Sequence, residues 1–176
     1  KIKPFYDRSE LVERCLHTVV NALQEGVFFV VLILYFFLRN LRGAFVVALT
    51  LPIVVLMTFI VMWKAGFSAN LMSLGGLAIS LGMIVDSAII QVENVQRHLA
   101  ESDGSKNKFA IIKAAGLEVM QPSIFGVLII AITFVPILTL EGMEGKMFAP
   151  LALTVIIAIL SSLLVAIFII PALCSF

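Results

Sequence analysis

From Gly43 to Trp63 the chain carries no charged residue, and the same holds from Pro122 to Leu140 and from Phe148 to Ile170. The stretch from Leu71 to Val92 holds a single charge, Asp86. A bilayer core of about 30 Å is crossed by about 20 apolar residues in a helix. Each of these four runs has that length. In lipid the backbone must satisfy its own hydrogen bonds, so runs of this kind fold as helices. Composition agrees, with 61% hydrophobic residues against about 45–50% in soluble domains. Small soluble domains leave much of their surface exposed, so a chain this apolar belongs in a membrane. The net charge of +1, with no basic stripe or aromatic-lined groove, gives no reason to expect a nucleic-acid partner.

A fifth apolar run, Gly26 to Leu38, is short for a span. The pattern of Val12–Leu23 can extend the same helix outward, so residues 1–25 read as a periplasmic approach and 26–38 as a transmembrane helix. The expected fold is therefore all-α: a polytopic helical bundle with about five transmembrane helices, 26–38, 43–63, 71–92, 122–140 and 148–170. Pro52, Pro136 and Pro150 fall in or beside spans, where proline marks kinks. Between spans, only 97–121 is a sizeable polar insert. Gly104 and Ser105 read as a turn. Phe109, Ile112, Ala115 and Leu117 recur at helical spacing, which predicts a short amphipathic helix on the cytoplasmic surface.

Arg39 and Arg42 lie in the first loop, and Arg97, Lys106, Lys108 and Lys113 in the third. The second and fourth loops hold Lys64 and Lys146 alone. This bias places the first and third loops in the cytoplasm. Lys1, Lys3, Arg8 and Arg14 would then lie outside, alongside Asp7, Glu10 and Glu13, as a translocated domain upstream would explain. The chain begins at Lys1 and stops at Phe176 just after a long apolar segment. It reads as a piece of a longer polypeptide.

Asp86 is the residue that most calls for a function. An acid near a helix centre costs about 2.5–3.5 kcal/mol on insertion scales, so intramembrane acids are functional candidates by default. Seven residues turn a helix by about 700°, which puts Asp86 and Glu93 on nearly one face, roughly 10 Å apart along the axis. Extending that stripe backward reaches Gly82, Ala78 or Ile79, and Gly75. Small residues admit a neighbouring helix, so Gly75, Gly76, Ser80 and Gly82 read as packing positions. Asp86 admits three roles: a structural hydrogen-bonding acid, a cation ligand, or a proton carrier. A carrier needs an environment that alternately raises and lowers its pKa. No Lys or Arg lies inside any of the five spans, so a countercharge must come from outside this piece.

Glu93 lies near the cytoplasmic end. It is either an interfacial acid paired with Arg97 at i+4 or a station where protons enter or leave. Met72 and Met83 share a helix with Asp86 and one side of it, being 11 residues apart. Thioethers bind soft Cu(I) or Ag(I), and they also fill apolar helices. Cys15 and Cys174 lie near opposite ends and His17 and His98 in separate polar segments, without zinc-site spacing. No HExxH or GxSxG motif and no paired intramembrane aspartates occur, which argues against an enzyme.

Gly82-Met83-Ile84-Val85-Asp86, continuing through Ser87-Ala88-Ile89-Ile90-Gln91-Val92-Glu93-Asn94, resembles the fourth transmembrane helix of resistance–nodulation–division (RND) efflux pumps. Pro4-Phe5-Tyr6-Asp7-Arg8-Ser9-Glu10-Leu11-Val12 is similar to the entry to their second helix, especially in the heavy-metal efflux branch. Phe37-Leu38-Arg39-Asn40-Leu41-Arg42, Ser68-Ala69-Asn70-Leu71-Met72-Ser73-Leu74-Gly75-Gly76 and Pro171-Ala172-Leu173-Cys174 fit as well. The resemblance covers essentially the whole chain, as helices two to six of a twelve-helix membrane domain.

That resemblance implies a proton/metal antiporter rather than an enzyme: a multi-pass inner-membrane homotrimer working with a periplasmic adaptor and an outer-membrane channel. It implies that Asp86, in the GxxxD pattern from Gly82, is the proton-relay acid, and that Glu93 is a second acid typical of metal exporters. The rest of the polypeptide would hold the basic partner of Asp86, and this piece alone should transport nothing. No resident cofactor is implied; a metal ion would be cargo. Ser87, where drug exporters carry a second aspartate, argues against a drug or solvent exporter. Ser80 stands where some zinc/cobalt exporters have an acid, and Ile84 where copper/silver members tend to have methionine. Met72 does fall where those members carry one. The cargo stays open between Cu/Ag and Zn/Co/Cd. A non-metal relative assisting secretion or lipid handling is the remaining alternative.

Overall fold

A computed structural model describes residues 41–102 and 107–175, together with the helical positions 13, 14, 17, 20, 21, 24–29, 32, 33 and 36. The expected periplasmic approach 1–25, the turn at Arg39 and the turn at Gly104–Ser105 lie wholly or mostly outside the described residues, as does part of the span 26–38, whose described positions are helical. The remainder forms four helices: α1 (Leu41–Lys64), α2 (Leu71–Glu101), α3 (Lys108–Leu138) and α4 (Gly142–Ser175). Each is long and apolar enough to cross a membrane. The chain is an all-α helical bundle of the kind its hydropathy predicts, with α1 closely matching the run 43–63.

Local chemistry sets the ends of these helices. Gly66, at φ 76°, stops α1 in the left-handed conformation that glycine adopts without a Cβ penalty. Its N–H reaches Trp63 O at 3.1 Å, and Phe67 N–H reaches Met62 O at 2.9 Å, the paired bonds that close a helix C-terminus. Asn70 then caps α2. Its side chain accepts from Ser73 N–H at 2.8 Å, and its own N–H donates to Ser73 Oγ at 2.8 Å, which satisfies two otherwise orphaned donors.

The helices overshoot the expected spans. With 31 residues, α2 and α3 are each about 46 Å long, well beyond a hydrocarbon core. Helix α2 runs past Val92 to Glu101, carrying Glu93 to His98 out of the apolar run as helix. Helix α3 joins the expected surface helix and the expected span 122–140 into one rod. The amphipathic segment is thus the N-terminal extension of a spanning helix and does not form a separate element. Pro122 does not break the rod. Proline removes one hydrogen bond, and a packed neighbour helix can compensate for that loss. Helices also continue through Pro52, Pro136, Pro150 and Pro171.

Helices α2 and α4 form the central pair. Helix α1 packs against both on one side and α3 against both on the other, and α1 and α3 do not touch. The sequence of α4 explains its place. Gly145, Ala152, Ala158, Ser161, Ser162 and Ala166 are buried along it, and small side chains allow the close backbone approach on which membrane helix packing depends. Gly76 makes such an approach to the α4 backbone: a Cβ there would lie 2.6 Å from Leu151 O. The core between the helices joins Val47, Leu51 and Val54 of α1 to Leu77, Ile84 and Ala88 of α2 and to Ala158, Val165 and Ile170 of α4. Buried hydroxyls turn back onto their own helices. Thr50 donates to Val47 O, Thr58 to Val54 O, Ser80 to Leu77 O and Ser162 to Ile159 O, all at 2.7–2.8 Å.

Candidate functional site: the acidic face of α2

Helix α2 has two faces. One carries Ser73, Leu74, Gly76, Leu77, Ser80, Ile84, Val85, Ala88, Gln91 and Val92, all buried against the other helices. The opposite face carries Ala78, Ile79, Gly82, Asp86, Ile90 and Glu93, all exposed. Asp86 and Glu93 therefore share the stripe that their spacing predicts, and that stripe points away from the bundle. Ile79 and Ile90, one-half exposed, flank the aspartate with apolar surface. No hydrogen bond or ion pair joins Asp86 or Glu93 to another described residue.

The packing positions divide the same way. Gly76 and Ser80 are buried in the bundle. Around Gly75 and Gly82, nothing lies within 4 Å of where a Cβ would be. Room for a close-packed partner exists at Gly75 and Gly82, and the described residues do not fill it.

Arg97 does not turn back to Glu93. Its guanidinium donates to Asn94 Oδ1 at 2.9 Å and lies 3.5 Å from Glu118 Oε1 on α3. His98 Nε2 is 2.6 Å from Glu118 Oε2. Asn94, buried, donates to Ala115 O at 2.8 Å and to Glu118 Oε2 at 3.2 Å. The hydrogen bond from Asn94, then that from His98, holds the Glu118 carboxyl below its ordinary value, with smaller help from the charges of His98 and Arg97. This cluster ties the C-terminal end of α2 to the N-terminal third of α3. Sequence reasoning missed it, because His98 and Glu118 are 20 residues apart and only the hairpin of two long helices brings them level. A lone acid inside the apolar periodicity of 109–120 was the available signal.

Met83 is half-buried against Val127, Ala131, Val155 and Ile159, a packing environment. Met72 is half-buried near the start of the helix. Eleven residues separate them by about 16 Å along the axis, so the two thioethers cannot hold one ion together. No cluster of three or more His, Cys, Asp or Glu side chains occurs among the described residues. Cys174 is half-buried beside Val95, Ile112 and Ala115. Burial pushes its thiol up to about 11, against the opposing pull of the Lys108 ammonium.

A bundle of membrane-length helices displaying an acid from one outward face is a segment of a polytopic membrane protein. The chain belongs to the AcrB/AcrD/AcrF family, whose model matches residues 1–176. It is 47% identical over 174 residues to protein HelA of Legionella pneumophila, covering 95% of this chain and 16% of that protein. It is 41% identical over 179 residues to the cobalt-zinc-cadmium resistance protein CzcA of Cupriavidus metallidurans, covering 98% and 17%. The cation efflux system protein CusA of Escherichia coli K12 is 39% identical over 176 residues, with 96% and 17% covered. Among solved structures, a heavy metal efflux pump superposes with a TM-score of 0.83 at 39% identity, over 99% of this chain and 17% of that one. The chain thus spans about one-sixth of the length of these relatives.

Proposed function

We propose that this chain is part of the membrane motor of a proton-driven heavy-metal cation exporter, with Asp86 as its proton carrier and Glu93 as a second acid on the same route. One observation carries the reading. Asp86 stands on an exposed, otherwise apolar and small-residue face, with no partner among the described residues. An acid at that depth faces protein or a water-filled cavity rather than lipid. The remainder of the polypeptide would therefore cover this face, packing at Gly75 and Gly82 and supplying the cation opposite Asp86. Each proton moving down about 100 mV releases about 2.3 kcal/mol. Neutralising Asp86 removes the reason for its countercharge to stay close, and the two helices can then repack.

The resistance and efflux names of the relatives support metal as the cargo, and Ser87 beside Asp86 supports the metal branch over the drug branch. Met72 and Met83 would act as separate soft contacts, not as one site. The working unit is proposed to be a homotrimer in the bacterial inner membrane, coupled to a periplasmic adaptor and an outer-membrane channel. The test is metal efflux by the full-length parent and its Asp86→Asn variant in a pump-deficient strain, across Cu(I), Ag(I), Zn(II), Cd(II) and Co(II). Export of one metal group that disappears in the variant at equal expression is the expected result. Unchanged export by the variant would remove Asp86 as the carrier, and no metal phenotype in the parent would remove the metal reading.

A further inference from the structure

At the cytoplasmic end, α3 and α4 flank a groove of about 740 Å³. Its walls are apolar: Phe109 and Leu117 of α3 and Phe168 of α4 line it and are 67%, 53% and 70% exposed. Three polar side chains interrupt that surface; one, the Ser175 hydroxyl, donates to Ala172 O at 2.7 Å, which leaves Gln91 and Lys113. Gln91, on the inner face of α2, forms the floor. It is only 4% exposed, yet its amide makes no hydrogen bond to any described residue. Among the described residues no buried side-chain nitrogen or oxygen is sealed from space without a partner, so what remains open of the Gln91 amide opens into the groove it lines. Burying an amide without a partner is costly. Lys113, at the edge of the groove, is exposed and likewise has no hydrogen bond or ion pair. The nearest acid on its own helix, Glu118, is engaged by Asn94, Arg97 and His98.

The depths of the two groups are informative. The Gln91 amide nitrogen lies 3.4 Å from where a Cβ on Gly116 would be, so Gln91 is level with Gly116. Lys113 lies three residues earlier on α3, about 4.5 Å further toward the cytoplasm. Gln91 closes the apolar run of α2, at the boundary of the hydrocarbon core. Inside the level of Phe109, which lies four residues beyond Lys113 on α3, the groove therefore presents, from the membrane outward, an apolar trough, a neutral hydrogen-bonding amide and a cation. A phospholipid has the matching order of acyl chain, ester carbonyl and phosphate. We propose that this groove holds an anionic phospholipid of the cytoplasmic leaflet, its chain against Leu117 and Phe168, an ester carbonyl accepting from Gln91, and its headgroup beside Lys113, with Phe109 beyond the headgroup. Basic residues at such depth are attracted to anionic lipid.

The proposal does not depend on the cargo or on Asp86. It is tested by placing p-benzoylphenylalanine at Leu117 of the full-length parent, reconstituted in liposomes with equal phosphatidylglycerol and phosphatidylcholine. After illumination, the adducted peptide is weighed. The expected adduct is lipid, with phosphatidylglycerol favoured. Lys113→Gln should lower that preference about fivefold, the effect of one lysine near an anionic surface, and Gln91→Leu should lower the yield of both lipid adducts. Adducts on the pump's own polypeptide or a neighbouring subunit in place of lipid would overturn the proposal. So would a lipid ratio unchanged by Lys113→Gln.

Discussion

His98 Nε2 of α2 stands 2.6 Å from Glu118 Oε2 of α3, and this pair, with Asn94 and Arg97, fastens two helices that extend beyond the membrane. The members of the cluster do not count equally. The Arg97–Glu118 pair is more than half exposed on both sides, and exposed ion pairs contribute only about 0–1 kcal/mol. The Asn94 bond to Ala115 O is buried, where an intramolecular hydrogen bond is worth about 1 kcal/mol and its loss leaves an acceptor without a donor. Asn94→Ala should therefore lower the thermal stability of the full-length protein in detergent more than Arg97→Ala does. The reverse order would mean that the network is held by its charges.

Acid should open this junction in a defined range. The folded state holds Glu118 below its ordinary 4.5, while the unfolded chain does not. The stabilisation is thus fully present above pH 4.5 and is lost as pH falls through the lowered value. Comparing thermal stability of the parent and Glu118→Gln against pH checks this. The gap between them should be constant near neutrality and close as pH drops below 4.5. A gap that persists unchanged through the acid range would mean that the carboxylate charge is not what matters.

Two neighbouring glycines should behave differently. A Cβ on Gly76 would meet the Leu151 backbone at 2.6–3.2 Å, and backbone cannot swing aside as a side chain can. Overpacking of this kind costs about 1–3 kcal/mol, so Gly76→Ala should reduce the folded yield. Gly75→Ala meets nothing in this bundle. If Gly75→Ala and Gly82→Ala nevertheless cut efflux in the full-length protein while leaving the yield intact, another helix approaches the acidic face, as the proposed function requires. If both are silent, that face is not closely covered.

The sequence made the helices, the class and the shared face of Asp86 and Glu93 legible, because charge depletion and the 3.6-residue period are local properties. Gly75, Gly76 and Gly82 show where legibility ends. All three satisfy the small-residue rule, but among the described residues only Gly76 is turned toward a neighbour, a fact that depends on how α4 sits. The continuity of α3 through Pro122 was hidden for a similar reason. A polar stretch followed by proline reads as a boundary, and only packing against α2 and α4 explains why the helix continues. Arg97 at i+4 from Glu93 predicts a pair on one helix, whereas its acceptors are Asn94 one turn back and Glu118, which comes within reach only once α3 folds back alongside.

Cys174 offers a check on that folded-back arrangement that does not require transport. Its thiol is raised to about 11 by burial beside Val95, Ile112 and Ala115, and only the thiolate reacts with alkylating reagents. At pH 8 the thiolate fraction should be about a thousandth, against roughly a quarter for an ordinary thiol near 8.5. Labelling of Cys174 in the otherwise cysteine-free full-length protein should therefore be slow. Ala115→Ser, at the wall of the Cys174 pocket, tests the cause: a polar neighbour in place of a methyl should lower the burial penalty and speed labelling. Fast labelling of the parent protein would show that the ends of α3 and α4 are not packed as described, and with them the Lys108 bond to Ser175 O at 3.1 Å would lose its setting.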